Sequence, residues 1–463
     1  MTDTFSAISP IDGSVFVERQ YADSETIQQT LNRGIAAQKT WHKENLASRK
    51  ELCTKAVDNF VANKEEIGRE ICWQMGRPIR FAVGEVGGLE ERARTMIRLA
   101  DEGLARIKLD EKEGFERWIE REPVGLVFVI SPWNYPYLTA INAIMPAILA
   151  GNSVVLKHSA QTPLCAERLY EAFAAAGLPE GVFQVLHLNH GDTEMIIKDD
   201  RVNYVAFTGS VPGGAMVKKA AVGRFISVGL ELGGKDPAYV RHDADLAHAV
   251  DTAMDGAFFN SGQSCCGIER VYVHEAVYDE FVAQAVDWVN GLKLGRSDDP
   301  ETTLGPLVRE SAAEFVRKQI EEAVAQGAIA HIAVDNFPQD QVGTPYLAPQ
   351  ILTDVDHSMR VMKEESFGPV VGIQKVSSDE EAIELMNDSE FGLTAAIFTT
   401  DIERGIELGH QVETGTFFLN RCDYLDPELA WTGIKNSGHG CTLSVVGFEA
   451  LTRPKSFHIK TKL

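Results

Sequence analysis

The chain has 463 residues, room for roughly two to four domains at about 100–200 residues each. Apolar residues make up 44% of it and charged residues 24%, which suits a globular protein with substantial cores. A formal charge of −23 excludes nucleic acid or an anionic membrane as the main partner, because either would be repelled over most of the surface.

The first hundred residues read mostly as helix. Ser24 to Glu44, Ser48 to Gly76 and Phe81 to Leu104 carry apolar residues at three- and four-residue spacing, with charges between. Phe115 to Glu122 then alternates, and Gly125 to Ile130 is a compact apolar run of the buried-strand kind. Strand and helix alternate from there: strands at Ser153 to Lys157, Phe183 to Leu188, Tyr204 to Phe207 and Ile226 to Leu232, helices at Pro163 to Ala176, Glu194 to Lys198 and Pro212 to Ala221. A second set follows, with strands at Val271 to His274, Val370 to Lys375 and Ala395 to Phe398. Its helices are Tyr278 to Gly291, Ser311 to Gln326 and Glu380 to Asn387. Short apolar strands separated by helices predict parallel, helix-covered sheets in two α/β domains.

Met1 to Gly13 has no basic n-region and no apolar h-region, so no secretory signal is read. Leu138 to Ala150, the longest apolar stretch, is broken by Asn142 and Pro146 and is too short to span a bilayer. Thr461-Lys462-Leu463 has Thr where a peroxisomal address has Ser, and is not taken as one. The seven cysteines (Cys53, Cys72, Cys165, Cys265, Cys266, Cys422 and Cys441) are odd in number and form no framework. That fits reduced thiols, and a cytoplasmic location is expected.

The segments that carry chemistry lie in a particular order. Ser131-Pro132-Trp133-Asn134-Tyr135-Pro136 comes straight off an apolar strand, where an open α/β sheet binds its ligands, and Asn134 offers an amide to a developing oxyanion. By itself Asn134 reads equally as a turn residue. Lys157 closes the next strand and offers a cation to ribose or phosphate, or is an ordinary exposed lysine. Phe207-Thr208-Gly209-Ser210-Val211-Pro212-Gly213-Gly214 follows a strand and opens a helix, whose free amides attract a pyrophosphate. It is not the Gly-x-Gly-x-x-Gly fingerprint, and a plain turn with a Ser cap explains it as well. Glu231-Leu232-Gly233-Gly234-Lys235 then places a carboxylate 34 residues ahead of the cysteine in Gly262-Gln263-Ser264-Cys265. A thiolate attacks an aldehyde to give a thiohemiacetal, and a carboxylate activates the water that clears a thioester. Taken singly, a cysteine is most often a buried structural thiol and a glutamate a solvated charge.

In this order, and with Glu364-Glu365-Ser366-Phe367-Gly368-Pro369, Asn387, Gly392-Leu393 and Lys435-Asn436-Ser437-Gly438 following, nearly the whole chain resembles the aldehyde dehydrogenase superfamily. The resemblance implies Cys265 as nucleophile, Glu231 as base for deacylation, and Asn134 with the Cys265 amide as oxyanion hole. It implies a nicotinamide dinucleotide held by Lys157 and Glu365 at the riboses, by Gly209, Ser210 and Gly214 at the pyrophosphate, and by Trp133 and Phe367 beside the nicotinamide. No metal is implied. The substrate passage would be lined by Tyr135, Tyr137, Leu138, Phe259, Ser264, Cys266 and Trp431, an aromatic funnel for a medium-chain aliphatic or aromatic aldehyde.

The fold so implied is α/β: a Rossmann-like cofactor domain (1–105 and 124–233), a second α/β catalytic domain (234–451), and a small β oligomerisation extension (106–123 and 452–463). A homodimer or homotetramer is expected, as is the lack of an N-terminal targeting piece, since the chain starts late compared with long members. Two departures stand out. Lys157-His158-Ser159-Ala160 lacks the carboxylate that commonly sits at position 160 and repels a 2′-phosphate, so both NAD and NADP are expected as cofactors; His158 reads first as a solvated histidine and second as a group that approaches that phosphate. Gly440-Cys441-Thr442 stands where many members have Gly-Arg-Glu, which removes an accessory carboxylate. Arg421 near the expected mouth offers a hold for a distal carboxylate or is equally a surface charge, so a semialdehyde dehydrogenase of the succinate-semialdehyde type is the alternative. A CoA-acylating enzyme is a weaker one, because Glu231 is retained.

Overall fold

A computed structural model describes residues 3–462. Met1, Thr2 and Leu463 lie outside the described residues, and with them the very start of the segment read for a secretory signal and the last residue of the C-terminal tripeptide.

A hairpin of β1 (Thr4–Ile8) and β2 (Val15–Gln20) precedes the helices. The sequence reading contains no such hairpin; its strands are short and largely exposed, which leaves little apolar alternation to read. Helix α1 (Ser24–Trp41) is capped by Asp23, whose side chain accepts from the Thr26 amide at 2.8 Å. The single helix predicted over Ser48 to Gly76 is two: α2 (Leu46–Val61), capped by Asn45, and α3 (Lys64–Met75), closed by Gly76 at φ 85°. Each buries its own stripe, Cys53, Ala56, Val57 and Phe60 on one and Ile67, Ile71 and Met75 on the other, and the chain turns between them to seat both. A short α4 (Ile79–Ala82) and the long α5 (Gly84–Gly103) complete the helical start.

Strands β3 (Ile107–Lys108) and β4 (Phe115–Pro123) lead into the first large sheet. It is wound from β5 (Leu126–Ser131), α6 (Pro136–Leu149), β6 (Ser153–His158), α7 (Pro163–Ala175), β7 (Phe183–Val185), α8 (His190–Lys198), β8 (Val202–Thr208), α9 (Val211–Ala220) and β9 (Ser227–Glu231). The parallel strands lie in the order β7-β6-β5-β8-β9. The winding reverses at β5, so the crevice beyond the carboxyl ends of β5 and β8 is a topological switch point, the place where such sheets bind ligands. Leu126, Val127 and Phe128 are fully buried, as a strand covered on both faces requires.

The second sheet takes β10 (Asp236–Val240), α10 (Leu246–Phe258), β11 (Ile268–His274), α11 (Tyr278–Asn290), α12 (Glu310–Ala325), β12 (Ile329–Ala330), β13 (Gln350–Thr353), α13 (Arg360–Lys363), β14 (Val370–Val376), α14 (Asp379–Asn387), β15 (Phe391–Gly392), β16 (Thr394–Phe398), α15 (Ile402–Gly409) and β17 (Thr416–Leu419). Seven of these strands form one sheet, β12-β13-β14-β11-β10-β16-β17, parallel except at β12. Strand β10 and helix α10 fall outside the elements read from the sequence: β10 is buried throughout, and α10 buries a stripe of mostly small side chains, Ala249, Val250, Ala253, Met254 and Ala257.

Late in the chain β18 (Ile434–Lys435) pairs with β15, and β19 (Gly438–His439) crosses to the first sheet, antiparallel to β9 with Gly438 opposite Glu231. The final β20 (Thr452–Lys460) pairs along all of β4, Thr452 with Pro123 through Lys460 with Phe115, and leaves its other edge open. Trp118 stacks on Phe457 across that ladder at 4.7 Å. Among the described residues no helix is long and apolar enough to cross a membrane.

The C-terminal turn is anchored by Phe448, which is fully buried against α5. A Cβ on Gly103 would lie 2.3 Å from its ring, so only glycine fits there. Phe448→Ala is expected to lower the unfolding free energy by about 3–5 kcal/mol. Urea denaturation measures this; a loss under about 1 kcal/mol would mean the ring anchors little.

Candidate active site

Helix α10 ends at Phe258, and the chain then takes three successive left-handed residues, Asn260 (φ 54°), Ser261 (φ 58°) and Gly262 (φ 72°). A Cβ on Gly262 would stand 2.2 Å from the Gly368 carbonyl, so glycine is required there on both counts. The loop is held by its own polar residues: Ser261 Oγ donates to Gly305 O (2.8 Å), and Gln263 accepts from the Val308 amide (2.8 Å) while donating to Asn260 O (3.1 Å). Cys265, presented at its end, is half-buried. All seven cysteines are free thiols. The neighbouring Cys266 thiol, buried, is pushed well above the usual thiol range by its contact with Cys265 and by burial.

Glu231 ends β9 and faces the same space. Burial raises its carboxyl above the ordinary range, while hydrogen bonds from Thr442 Oγ1 and from Thr208 Oγ1 (3.1 Å) pull the other way by favouring the charged form. Thr442, noted in the sequence as the replacement for a usual glutamate, thus supplies a hydroxyl donor to Glu231 in place of a second carboxylate.

Asn134 follows β5, buried, with Nδ2 donating to Gln263 O at 3.2 Å. Its placement depends on two residues the sequence reading did not single out. Arg77, itself buried, donates to Asn134 O (2.5 Å) and Asn260 Oδ1 (3.1 Å) and pairs with the buried Glu85. Glu85 also accepts from the Tyr137 amide (2.8 Å) at the start of α6. Glu85 lies within a stretch whose helical period reads charges as a solvated face, and Arg77 in the short turn between α3 and α4, where a charge reads as exposed, so no signal in the sequence marks them.

Two cavities meet at Cys265 and Glu231. One, of ≈ 250 Å³, lies at the switch point and is lined by Trp133, Asn134, Gly209, Ser210, Glu365 and Phe367 among others. Trp133 and Phe367 stand edge to face at 5.7 Å. Phe367 is held at φ 53° because Glu269 accepts from its amide and that of Ser366 (2.9 and 2.8 Å), and Glu269 is in turn paired with buried Lys235 at 2.6 Å. Ser210 is exposed and caps α9, accepting from the Gly213 amide (3.3 Å). Gly214 lies off the cavity and lets α9 approach Leu232, 2.6 Å from where a Cβ would be. Lys157 ends β6 beside Ile130, with no carboxylate within 4 Å among the described residues. Burial pushes its ammonium down and the Glu365 carboxyl up to about 8. A helix start with free amides, an apolar ring pair, a cation and a carboxyl at a switch point fit a dinucleotide.

The other cavity, of ≈ 200 Å³, is lined by Tyr135, Leu138, Phe259, Ser264, Cys266 and Trp431, all expected from the sequence, and also by Arg92, Asp423 and Leu425, which were not. Trp431 is held there by the bridge to Thr442. Asp423 accepts from Cys266 Sγ (3.0 Å) and Ser264 Oγ (3.2 Å), and burial raises it to about 7.

Three expectations are corrected. Tyr137 does not line the passage; it is fully buried, its ring against Phe60 at 4.9 Å, because it points from α6 into the helical core. Arg421 is exposed outside the cavity, its guanidinium stacked 3.9 Å over the Tyr424 ring. His158 is buried beneath α6, bonded to Pro136 O and Thr162 Oγ1 (both 3.0 Å), and burial drops it to about 4, so it is neutral and unavailable to a phosphate.

Two wound sheets flanking a thiol, a carboxyl and a nucleotide-sized groove define an oxidoreductase of the carbonyl group. The model of the aldehyde dehydrogenase family matches residues 1–457. The chain is 34% identical over 445 residues, 96% of this chain and 95% of the relative, to the succinate semialdehyde dehydrogenase (NAD(P)+) Sad of Escherichia coli K12. It is 34% identical over 420 residues, 90% and 88% of the two chains, to the succinate-semialdehyde dehydrogenase (NADP(+)) of Mycobacterium avium. Its fold matches the succinic semialdehyde dehydrogenase of Streptococcus pyogenes, solved with NADP+, at a TM-score of 0.94 and 30% identity over 98% of this chain and 100% of that one. The chain belongs to the aldehyde dehydrogenase family. The expected α/β fold, enzyme class and nicotinamide cofactor agree with that membership.

Arg77→Met leaves the Glu85 charge buried and unpaired, and is expected to cost about 3–5 kcal/mol of stability. Chemical denaturation of this variant against Arg77→Met/Glu85→Met tests it. The double variant should recover part of the loss, and equal losses would rule out the unpaired charge as the cause.

Proposed function

We propose that this protein oxidises an aldehyde to its carboxylic acid with NAD or NADP as acceptor, releasing the acid by hydrolysis. The observation that carries this reading is the meeting of two cavities, one apolar and one nucleotide-like, at Cys265 and Glu231. The Cys265 thiolate adds to the aldehyde carbon and makes a thiohemiacetal. Asn134 Nδ2 and the Cys265 amide, which has no protein acceptor among the described residues, stabilise the oxyanion. Lys157 and Glu365 would hold the riboses, Gly209 and Ser210 at the start of α9 the pyrophosphate, and Trp133 and Phe367 would flank the nicotinamide, while Gly214 serves the packing of α9 on Leu232. When bound, the nicotinamide supplies the two-electron acceptor for the hydride on the thiohemiacetal carbon. Glu231 then takes a proton from water, which adds to the resulting thioester and frees the acid and the thiol. Cys266, with its raised thiol, stays protonated as wall.

In the same reading residues 1–105 and 124–233 hold the cofactor and 234–451 carry the thiol. The three-stranded sheet of β3, β4 and β20 joins subunits into a dimer or tetramer, and the enzyme works in the cytoplasm. Leu138, Phe259, Leu425 and Trp431 favour an aldehyde with an aliphatic or aromatic chain. The named relatives act on succinate semialdehyde, and a buried arginine in the cavity favours that narrower reading, developed below.

Absorbance at the reduced-nicotinamide band, for an aldehyde panel with NAD or NADP and without CoA, should show steady turnover in wild type and none in Cys265→Ala. A single burst that resumes only with CoA would make the enzyme acylating. Because the Glu231 carboxyl is raised and must be ionised to act, the deacylation rate should climb with pH above the ordinary carboxylate range. Thr442→Val removes a donor to the charged form and should move that limb to higher pH; an unmoved limb would assign it to another group. Ala160→Glu should lower kcat/KM for NADP relative to NAD by about tenfold or more, through like-charge repulsion of the 2′-phosphate. An unchanged ratio would place that phosphate elsewhere.

A further inference from the structure

Arg92 is the one cation among the residues lining the cavity that holds Cys265 and Glu231. It is 8% exposed. Its Nη1 donates to Leu138 O (3.1 Å) and Asn142 Oδ1 (3.2 Å), which fixes the guanidinium between α5 and α6. Among the described residues Nε and Nη2 have no acceptor, and no carboxylate lies within 4 Å of any of its nitrogens. The nearby acids are engaged elsewhere: Glu85 with Arg77, Glu91 with the Tyr424 hydroxyl (2.6 Å), Glu231 with Thr442 and Thr208, and Asp423 with Ser264 and Cys266. Burying a guanidinium without a counter-ion is costly, and natural proteins pair such charges or use them on a ligand. Gly88, one turn before Arg92, removes the side chain that would push Leu138 aside, since a Cβ there would lie 2.8 Å from it.

The geometry points to Arg92 as the subsite for a carboxylate on the far end of the aldehyde substrate, with Nε and Nη2 forming the fork that receives it. This rests on the aldehyde-oxidising reading above and names its substrate class, an ω-carboxylated aldehyde of a few carbons. A carboxylate is favoured over a phosphate because a single guanidinium neutralises a monoanion, whereas a phosphate dianion calls for a second cation that the lining lacks. The apolar wall of Leu138, Phe259 and Trp431 covers the methylenes between the two ends, and the ≈ 200 Å³ of the cavity suits a short chain.

The test compares kcat/KM of wild type, Arg92→Met and Arg92→Lys on succinate semialdehyde, on uncharged pentanal and on glyceraldehyde 3-phosphate. Thermal shifts with succinate are recorded without nucleotide. Wild type should prefer the carboxylated aldehyde. Arg92→Met should reduce the carboxylated-to-neutral ratio by about 30- to 100-fold, the loss of a charge-assisted fork, with Arg92→Lys between. Succinate should raise the melting temperature of wild type and not of Arg92→Met. A parallel fall on both aldehydes would make Arg92 only a clamp between α5 and α6 and overturn the proposal, as would a preference for the phosphorylated aldehyde. If wild type oxidises no aldehyde, the dehydrogenase reading fails on its own. The succinate shift then still decides the subsite: its loss in Arg92→Met supports it, and no shift in wild type overturns it.

Discussion

The buried pair of Arg77 and Glu85 is the constraint on which the site depends. Two charges taken wholly out of water cost several kcal/mol each, and only close pairing with further hydrogen bonds offsets that. Here those further bonds run to the backbone of the site itself. Arg77 reaches the carbonyl of Asn134 and the side chain of Asn260, and Glu85 receives the first amides of α6. One ion pair therefore joins the helical start, the loop after β5 and the loop that presents Cys265. A satisfied buried network of this kind fixes one arrangement of the loops, since any shift leaves a charge without a partner.

A second buried pair does the same for the nucleotide side. Glu269, paired with Lys235, accepts from the Ser366 and Phe367 amides and so sets the ring opposite Trp133, while Lys235 donates to Ser366 Oγ. The motif residues around Glu231 and Glu365 are thus partly scaffolding. Ser437, in the late Lys-Asn-Ser-Gly segment, donates to Gly233 O and accepts from the Gly392 amide, which locks the turn after Glu231 to strand β15. The strand Gly438–His439 then completes the first sheet beside Glu231. Chain segments some two hundred residues apart close around a single carboxyl.

Burial has opposite effects on the groups around that space. It raises the Glu231, Asp423 and Glu365 carboxyls and lowers the Lys157 ammonium, moving each toward its neutral form. Thr442 and Thr208 moderate this at Glu231 by donating to the charged form, so a hydroxyl stands where a second carboxylate would have repelled it. The same dry surroundings make the unpaired guanidinium of Arg92 a demanding partner.

The sequence by itself determined the wound α/β architecture, because apolar strands buried on both faces and amphipathic helices leave periods that survive in one dimension. It also placed Cys265, Glu231, Asn134, Trp133, Ser210, Glu365 and Phe367 in order, since Gly262 and the turn residues around them are local requirements of the backbone. Tertiary structure alone decided which charges face inward. Glu85 and Arg92 sit on a helix whose spacing is indistinguishable from a solvated face, Arg77 sits in the short turn before α4, and beyond the Arg77–Glu85 pair their partners lie far along the chain. It likewise turned Tyr137 into the core, His158 under α6 and Arg421 onto Tyr424, because a side chain's direction follows from the packing of its element against others. Pairing between distant segments is a three-dimensional property, and no spacing along the chain records it.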